Sequence, residues 1–319
     1  MKILIVGPGA IGCLLAGYLT KSGQDVWLLD KPNQKRTKLI EAEGIKIEGV
    51  NGSHKIKVNI TSDIKDIKKI ELIIICVKSY DTEAAVKSIK SLISETTYCL
   101  TLQNGLGNVE AIAEIAGENN VIGGVTSHGA TLVSGGHIKH CGKGETVIGR
   151  WQPQGKKQPK QWKIPRRVLE DIAGVLKGAG FTTKVSDKIK DVLWSKLIIN
   201  VGINALAAIT RLNNGLITEY AGTRQILKQS VLEASKIARR KKISLDYSDP
   251  VKKVESVCSQ TEENISSMLQ DILKNKKTEI DYINGAIVRE GEDLGIPTPV
   301  NSVLTDLVKT IEASYNKQV

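Results

Sequence analysis

Apolar and polar positions alternate in blocks along the first half of the chain and predict strands and helices in turn. Residues 2–6 form a short apolar run rich in β-branched side chains, and residues 13–19 resume the apolar pattern at helical spacing. Residues 72–77 are apolar at every position, as expected for a parallel strand covered on both faces. Residues 98–102 and 121–125 predict two more strands. Strands that alternate with helices are typical of an open parallel sheet with helices on both faces.

The pattern changes in the second half of the chain. Residues 131–150 contain short strands separated by glycines, which we expect to extend the sheet with antiparallel strands. Residues 151–165 combine Pro, Gln and Lys without periodicity and predict an exposed loop. From residue 187 onwards the pattern is helical, beginning with a long apolar helix over residues 187–209.

A glycine-rich turn separates the first strand from the first helix. Its sequence is Gly7-Pro8-Gly9-Ala10-Ile11-Gly12. Gly7 allows a tight turn, Gly9 lets the backbone approach a pyrophosphate, and Gly12 lets the helix pack close to the strand. The free amides of the helix start, at Ala10 and Ile11, would bind the phosphates. The order strand, glycine turn, helix predicts a dinucleotide site.

The second strand ends at Asp30, where dinucleotide-binding folds place a ribose-binding carboxylate. A carboxylate there accepts a hydrogen bond from a free ribose 2′-hydroxyl and repels a 2′-phosphate, which favours NAD(H) over NADP(H). Lys31, Lys35 and Arg36 could still bind the phosphate if Asp30 turned aside. The residues alone leave both cofactors open.

Length and composition are those of a globular protein of about two domains. The chain has 319 residues, of which 41% are hydrophobic and 25% charged. We predict an α/β fold with an N-terminal Rossmann-type NAD(P)-binding domain over residues 1–187 and an all-α substrate domain over residues 188–319. No apolar run reaches the roughly 18 residues needed to span a bilayer, so we expect no membrane partner. Five scattered cysteines suit reduced core thiols and a cytoplasmic location.

The net charge of +11 raises the question of a nucleic-acid partner. The basic residues are spread along the chain, and aromatic residues make up 4%, which leaves little to stack on bases. We therefore expect a lysine-rich solvated surface and no nucleic acid. The helical domain could form a homodimer, which periodicity cannot distinguish from a core.

The long helix carries a polar stripe. Lys196, Asn200 and Asn204 are spaced i, i+4 and i+8, so they share one face of a helix that is otherwise apolar. Burying these groups without partners would be costly, which indicates a polar cleft. A lysine half-buried in a cleft has a pKa that can fall toward neutrality, as a general acid requires. The alternative is an amphipathic helix whose narrow polar face is simply wet.

Two further segments near the end of the chain place polar residues on helices. Asn264 and Ser267 are three residues apart and share a face. Thr278 and Asp281 have capping-box spacing, which would put Glu279 in the first turn of a helix, where a carboxylate is favoured without any catalytic role.

These segments closely resemble ketopantoate reductases (2-dehydropantoate 2-reductases). The similarity runs from residue 1 to about residue 312 and is carried by Gly7-Pro8-Gly9-Ala10-Ile11-Gly12, Lys78, Gln103-Asn104-Gly105, residues 194–200, residues 263–271 and residues 278–285. That family reduces 2-dehydropantoate to pantoate, in pantothenate and coenzyme A synthesis, with a hydride from NADPH. The resemblance therefore implies NADP(H) as the cofactor, although Asp30 and Lys31 stand where NADPH-using members commonly carry an arginine.

The resemblance also implies roles for individual residues. Lys196 would be the general acid that protonates the ketone oxygen, and Glu279 would anchor the substrate and the lysine. Lys78 would lie near the cofactor. The substrate would be bound by Asn104, which also lies near the nicotinamide, and by Asn200, Asn204, Asn264 and Ser267.

Two other interpretations of the function remain open. A related D-2-hydroxy acid dehydrogenase would keep the fold and act on another 2-keto acid. A non-catalytic dinucleotide sensor would bind the cofactor without turnover. A metal site at His137, His140 and Cys141 is not expected, because the segment offers no fourth ligand at the usual spacing. His128 follows a strand and could touch the cofactor or the substrate.

Overall fold

A computed structural model describes residues 1–151 and 164–317 of the chain. It divides into two compact units. Unit 1 consists of Met1–Gln103 and Asn108–Ile189, and unit 2 consists of Asn104–Gly107 and Lys190–Val319. The loop predicted over residues 151–165 falls, apart from its ends, outside the described residues.

Unit 1 is built on an eight-stranded sheet and a four-stranded sheet. Its strands are β1 (Lys2–Val6), β2 (Asp25–Leu29), β3 (Ile45–Gly49), β4 (His54–Ile56), β5 (Asn59–Thr61), β6 (Leu72–Ile75), β7 (Tyr98–Thr101), β8 (Val121–Thr126), β9 (Gly129–Ser134), β10 (His137–Gly142), β11 (Thr146–Arg150) and β12 (Thr183–Val185). Its helices are α1 (Ala10–Lys21), α2 (Lys35–Glu43), α3 (Thr82–Ser88), α4 (Asn108–Ala116) and α5 (Arg166–Gly178).

The large sheet has the strand order β12-β11-β8-β7-β6-β1-β2-β5. All neighbours in it pair in parallel except β11, which runs antiparallel to β8. The four residues of β6 are all buried, as expected for a central parallel strand covered on both faces. The predicted α/β class and Rossmann-type sheet are therefore confirmed.

The segment over residues 131–150 differs from its prediction. β11 extends the large sheet, but β9 and β10 belong to a second sheet of order β4-β3-β10-β9. The reason is a long-range contact: β10 pairs in parallel with β3, and the fully buried Ile47 and Ile138 are partners in that register. Ile47 also packs on α1 at Gly17, where an added Cβ would lie 2.6 Å from the Ile47 Cδ1 atom.

Two histidines of this region form a buried pair. His128 Nδ1 lies 3.1 Å from His140 Nε2, and both side chains are buried beside Phe181 and Tyr18. Burial lowers the pKa of both imidazoles, that of His128 to about 4, so the pair is neutral at pH 7. Among the described residues, no group of three metal-ligating side chains is found.

Unit 2 is helical. Its helices are α6 (Ile189–Thr210), α7 (Leu216–Glu219), α8 (Ala221–Arg240), α9 (Pro250–Gln260), α10 (Ser267–Ile272), α11 (Asn284–Leu294) and α12 (Pro299–Ala313), with a 3-10 turn at Ile280–Tyr282. α6 supplies the central side chains of the core, including the fully buried Ile198, Val201 and Ala205.

By length and composition alone, α6 would be long and apolar enough to cross a membrane. However, 72% of its most apolar window is buried inside the protein. This burial is typical of a core helix, because the other helices of unit 2 cover its apolar faces.

Candidate active site

The glycine turn between β1 and α1 forms a concave backbone surface, the glycine cradle. Side chains at Gly7 or Gly12 would collide with neighbouring atoms there. Gly7 has φ of 103°, and a Cβ there would lie 2.8 Å from Val77 Cγ1. A Cβ on Gly12 would lie 2.0 Å from the Gly7 carbonyl oxygen. At Gly9, by contrast, the nearest atom to an added Cβ is the Cys76 carbonyl oxygen at 3.8 Å, which leaves room for a ligand to approach the backbone.

The N-terminus of α1 is suited to bind an anion. Gly9 is the N-cap residue, no side chain caps the helix, and the first turn contains no acidic residue. The amide of Cys13 already bonds to the Gly9 carbonyl oxygen at 2.9 Å, so the amides of Ala10, Ile11 and Gly12 are the ones that a phosphate can reach. The turn therefore fits a dinucleotide pyrophosphate.

Asp30 lies just beyond β2 and is 4% exposed. Its carboxylate accepts hydrogen bonds from Arg36 Nε at 2.7 Å, from Thr37 Oγ1 at 2.9 Å and from the Lys31 amide at 2.7 Å. A second guanidinium nitrogen of Arg36 completes a bidentate ion pair with it. The Lys31 side chain points elsewhere, and its Nζ lies 2.9 Å from Asp81 Oδ2.

A hydrogen-bond network supports the carboxyl ends of β6 and β7, next to the half-buried Lys78. Gln103 Nε2 donates to the Val77 carbonyl oxygen at 2.7 Å and to Thr82 Oγ1 at 2.8 Å. Thr82 Oγ1 in turn donates to Asn108 Oδ1 at 2.9 Å. The network fixes the edge of the sheet at which ligands bind in open α/β folds.

Asn104 belongs to the short segment of unit 2 that follows β7, and it is half-buried. The neighbouring Gly105 has φ of 85°, and an added Cβ would lie 2.3 Å from the Tyr282 carbonyl oxygen. The Leu106 amide donates to the same oxygen at 2.9 Å. The Tyr282 backbone thus holds this segment close to the turn that contains Glu279.

Lys196 and Glu279 form an electrostatic pair within unit 2. Lys196 is partly exposed on α6, whereas Glu279 is 6% exposed at the start of the 3-10 turn. Burial lowers the pKa of Lys196 to about 8, and the Glu279 carboxylate opposes that shift by favouring the charged ammonium. A lysine in this condition exchanges its proton near neutral pH, as a general acid must.

The polar stripe on α6 continues with two amides. Asn204 is 5% exposed, and Asn200 is partly exposed. The Asn200 Nδ2 atom is buried without a hydrogen-bond partner. Because a buried donor without an acceptor is costly, this amide is suited to bind an acceptor atom of a ligand.

The structure separates the two other predicted substrate residues by exposure. Asn264 is exposed and Ser267 is half-buried at the start of α10. The Asn264 carbonyl oxygen accepts from the amide of Asn214 at 3.0 Å. Asn214, which the sequence analysis does not single out, is buried and its Oδ1 atom has no partner, so it is a further candidate. The sequence pattern could not indicate Asn214, because this residue lies beyond the end of α6 at Thr210 and does not continue the polar stripe of that helix.

Local contacts position the lysine and the glutamate. Tyr247 Oη donates to the Ser195 carbonyl oxygen at 2.8 Å, and Ser195 Oγ accepts from the Asp246 amide at 3.1 Å, which fixes α6 beside Lys196. Thr278 does not build a capping box. Its Oγ1 accepts from the Ile280 amide at 3.1 Å to form a tight turn around Glu279.

The glycine cradle and the parallel sheet of unit 1, and the lysine–glutamate pair of unit 2, are features typical of dinucleotide-dependent oxidoreductases. The family model described as ketopantoate reductase PanE/ApbA matches residues 3–153, and its C-terminal counterpart matches residues 188–312. The chain belongs to this ketopantoate reductase family.

Individual relatives match over the whole chain. The 2-dehydropantoate 2-reductase of Pyrococcus abyssi is 36% identical over 318 residues, covering 100% of both chains. Among solved structures, a PanE/ApbA family ketopantoate reductase from Ralstonia eutropha superposes with a TM-score of 0.87 at 32% identity, covering 99% of this chain and 100% of that one. A D-mandelate dehydrogenase solved with NADH and anilino(oxo)acetate gives a TM-score of 0.88 at 29% identity, with the same coverage.

Proposed function

We propose that this enzyme reduces 2-dehydropantoate to pantoate in pantothenate and coenzyme A biosynthesis. Full-length identity to 2-dehydropantoate 2-reductases of archaea and bacteria supports the substrate. The observation that carries the chemistry is the partly buried Lys196, whose pKa is lowered to about 8 next to the buried Glu279. Such a pair suits an enzyme that delivers a proton to a developing alkoxide.

When bound, the nicotinamide cofactor, NADPH or NADH, would supply a hydride to the ketone carbon. As the carbonyl π-bond breaks, its electron pair moves to oxygen, and the Lys196 ammonium donates a proton there to complete the alcohol. Lys196 is left as a neutral amine, a form that its lowered pKa makes accessible. Glu279 keeps the lysine protonated before the reaction, and water returns the proton afterwards.

Several side chains hold the reactants in this proposal. The polar groups of the keto acid are bound by Asn104, Asn200, Asn204, Asn264 and Ser267. The unpartnered Asn200 Nδ2 atom supports such a role most directly. The cofactor is bound at its pyrophosphate by Gly7, Gly9, Ala10, Ile11 and Gly12, near its adenosine ribose by Asp30 and Lys31, and near the nicotinamide by Lys78 and Asn104.

A steady-state screen tests the substrate. The purified enzyme is assayed with 2-dehydropantoate, pyruvate and benzoylformate, each with NADPH and with NADH, by the loss of nicotinamide absorbance. We expect the highest kcat/KM with 2-dehydropantoate. No turnover of any 2-keto acid, together with normal cofactor binding, would instead identify a dinucleotide sensor.

A second candidate is a D-2-hydroxy acid dehydrogenase for another 2-keto acid. The similarity to D-mandelate dehydrogenase at a TM-score of 0.88 favours it specifically. A higher kcat/KM with benzoylformate than with 2-dehydropantoate would establish this alternative.

For either activity we propose a cytoplasmic enzyme that acts as a homodimer. Light scattering would measure the molar mass of the dimer.

A further inference from the structure

We propose that Asn284 is a positioning residue for the reaction, because its side chain holds the turn that carries Glu279 against α6, the helix that carries Lys196. The proposal rests on the proposed function, since it gives a role to the geometry of the lysine and glutamate pair. Asn284 acts through the backbone of α6 and not by contact with the keto acid or the cofactor.

Asn284 is the first residue of α11 and is fully buried. Its Nδ2 atom donates to the Val201 carbonyl oxygen at 3.2 Å and to Asn301 Oδ1 at 3.0 Å. Val201 lies on α6 between Asn200 and Asn204 of the polar stripe. One amide group therefore ties the middle of α6 to the start of α11.

The turn that carries Glu279 leads directly into α11. Glu279 precedes the 3-10 turn at Ile280–Tyr282, and the Tyr282 amide donates to the Glu279 carbonyl oxygen at 3.0 Å. A single residue separates this turn from Asn284. Because so short and hydrogen-bonded a segment has little freedom, fixing Asn284 on α6 also fixes the Glu279 backbone relative to Lys196.

A second asparagine anchors Asn284 to the rest of unit 2. Asn301, in the first turn of α12, is fully buried, and its Nδ2 atom donates to the Ser230 carbonyl oxygen at 3.1 Å and to Glu233 Oε2 at 2.7 Å. Glu233 also accepts from the amides of Val300 and Asn301, at 2.9 and 3.0 Å. The network joins α6 and α11 to α12 and α8, so the core of the unit holds Asn284 in place.

Stability alone does not account for an asparagine at this position. The Asn284 Oδ1 atom is buried and has no hydrogen-bond partner among the described residues, which is costly. Two apolar side chains of similar shape could replace Asn284 and Asn301 at little cost in stability. The two hydrogen bonds that Asn284 donates therefore favour a role in fixing α6.

The pKa of Lys196 reports the geometry that Asn284 is proposed to fix. Burial lowers this pKa to about 8, and among the described residues Glu279 is the group whose charge opposes the shift. The attraction between two charges weakens as their separation grows. If the Glu279 turn moves away while Lys196 stays buried in unit 2, the pKa of the lysine should fall further.

NMR of protein labelled with ¹³C at the lysine ε-carbons measures this pKa without turnover, and the Lys196 signal is the one absent from Lys196→Ala. We expect the pKa to fall from about 8 to about 7.5 or lower in Asn284→Ala. The kcat for 2-dehydropantoate should fall about tenfold at pH 7. The cofactor Kd should stay unchanged, because the glycine cradle lies in unit 1. In a Glu279→Gln background, Asn284→Ala should cause no further change in the pKa.

Two further variants separate positioning from folding. Val308→Ala truncates another fully buried side chain of the same core, on α12. It should lower the melting temperature, as Asn284→Ala does, and leave the pKa of Lys196 at about 8. Asn284→Thr fills nearly the same volume but carries one donor, which can serve only one of the two acceptors. This variant should be more stable than Asn284→Ala and show a smaller fall in the pKa.

Three results would overturn the proposal: an unchanged pKa of Lys196 in both Asn284 variants, an equal fall of that pKa in Val308→Ala, or a fall that is undiminished in the Glu279→Gln background. None of these pKa measurements depends on turnover. A wild-type enzyme that turns over no keto acid would contradict the proposed function alone, and a failure here would leave the proposed reaction standing.

Discussion

The pH dependence of keto acid reduction tests the role of Lys196 in proton transfer. A general acid must be protonated, so kcat/KM should fall as Lys196 loses its proton. With a pKa of about 8, about 90% of Lys196 is protonated at pH 7 and about 10% at pH 9. We therefore expect kcat/KM for 2-dehydropantoate, measured at saturating cofactor, to fall about tenfold between these pH values.

The reverse reaction and a variant provide the controls. Oxidation of pantoate needs the neutral amine as a base, so its kcat/KM should rise through the same pH. In Glu279→Gln the carboxylate that favours the ammonium is lost, and the midpoint should move to lower pH. A lysine with its ordinary pKa of 10.5 would leave the rate almost flat up to pH 9. A flat profile in both directions would refute the reasoning.

Three further predictions concern single positions. Gly12→Ala should abolish cofactor binding in a fluorescence titration, because its Cβ would lie 2.0 Å from the Gly7 carbonyl oxygen; normal affinity would contradict the tight turn. Asn200→Leu should raise KM for the keto acid about tenfold or more without lowering the unfolding midpoint, because its Nδ2 atom has no protein partner to lose. Acid should destabilise unit 1, because the folded pKa of His128, about 4, lies below its unfolded value of 6.5. In urea unfolding, the free energy of unfolding should fall by about 3 kcal/mol between pH 7.5 and pH 4. The fall should be smaller in His128→Gln.

Local pattern was sufficient to predict the dinucleotide-binding half. The apolar runs over residues 2–6, 72–77 and 98–102 contain β1, β6 and β7, because the composition of a buried parallel strand is strongly apolar. The second sheet was missed because β10 pairs with β3, almost a hundred residues away, and no short-range signal specifies that partner.

The candidate site, like the fold, could be predicted from the sequence only in part. The α6 stripe follows from helical spacing, and the roles of Lys196 and Glu279 came from the resemblance and stay predictions. The ion pair between Asp30 and Arg36 was not foreseen, because side-chain pairing depends on rotamers and on the start of α2. Asn214 and the histidine pair depend on tertiary contacts between separate segments. Their exposure and partners could be read only from the fold.

The central claim, that the Lys196 ammonium protonates the ketone oxygen, is tested most directly by Lys196→Ala. We expect turnover of 2-dehydropantoate to be abolished while the fold and the cofactor Kd stay close to wild type, since the glycine cradle is built from other residues. Added primary amines should restore part of the rate. A variant that keeps more than a tenth of wild-type turnover would contradict the account.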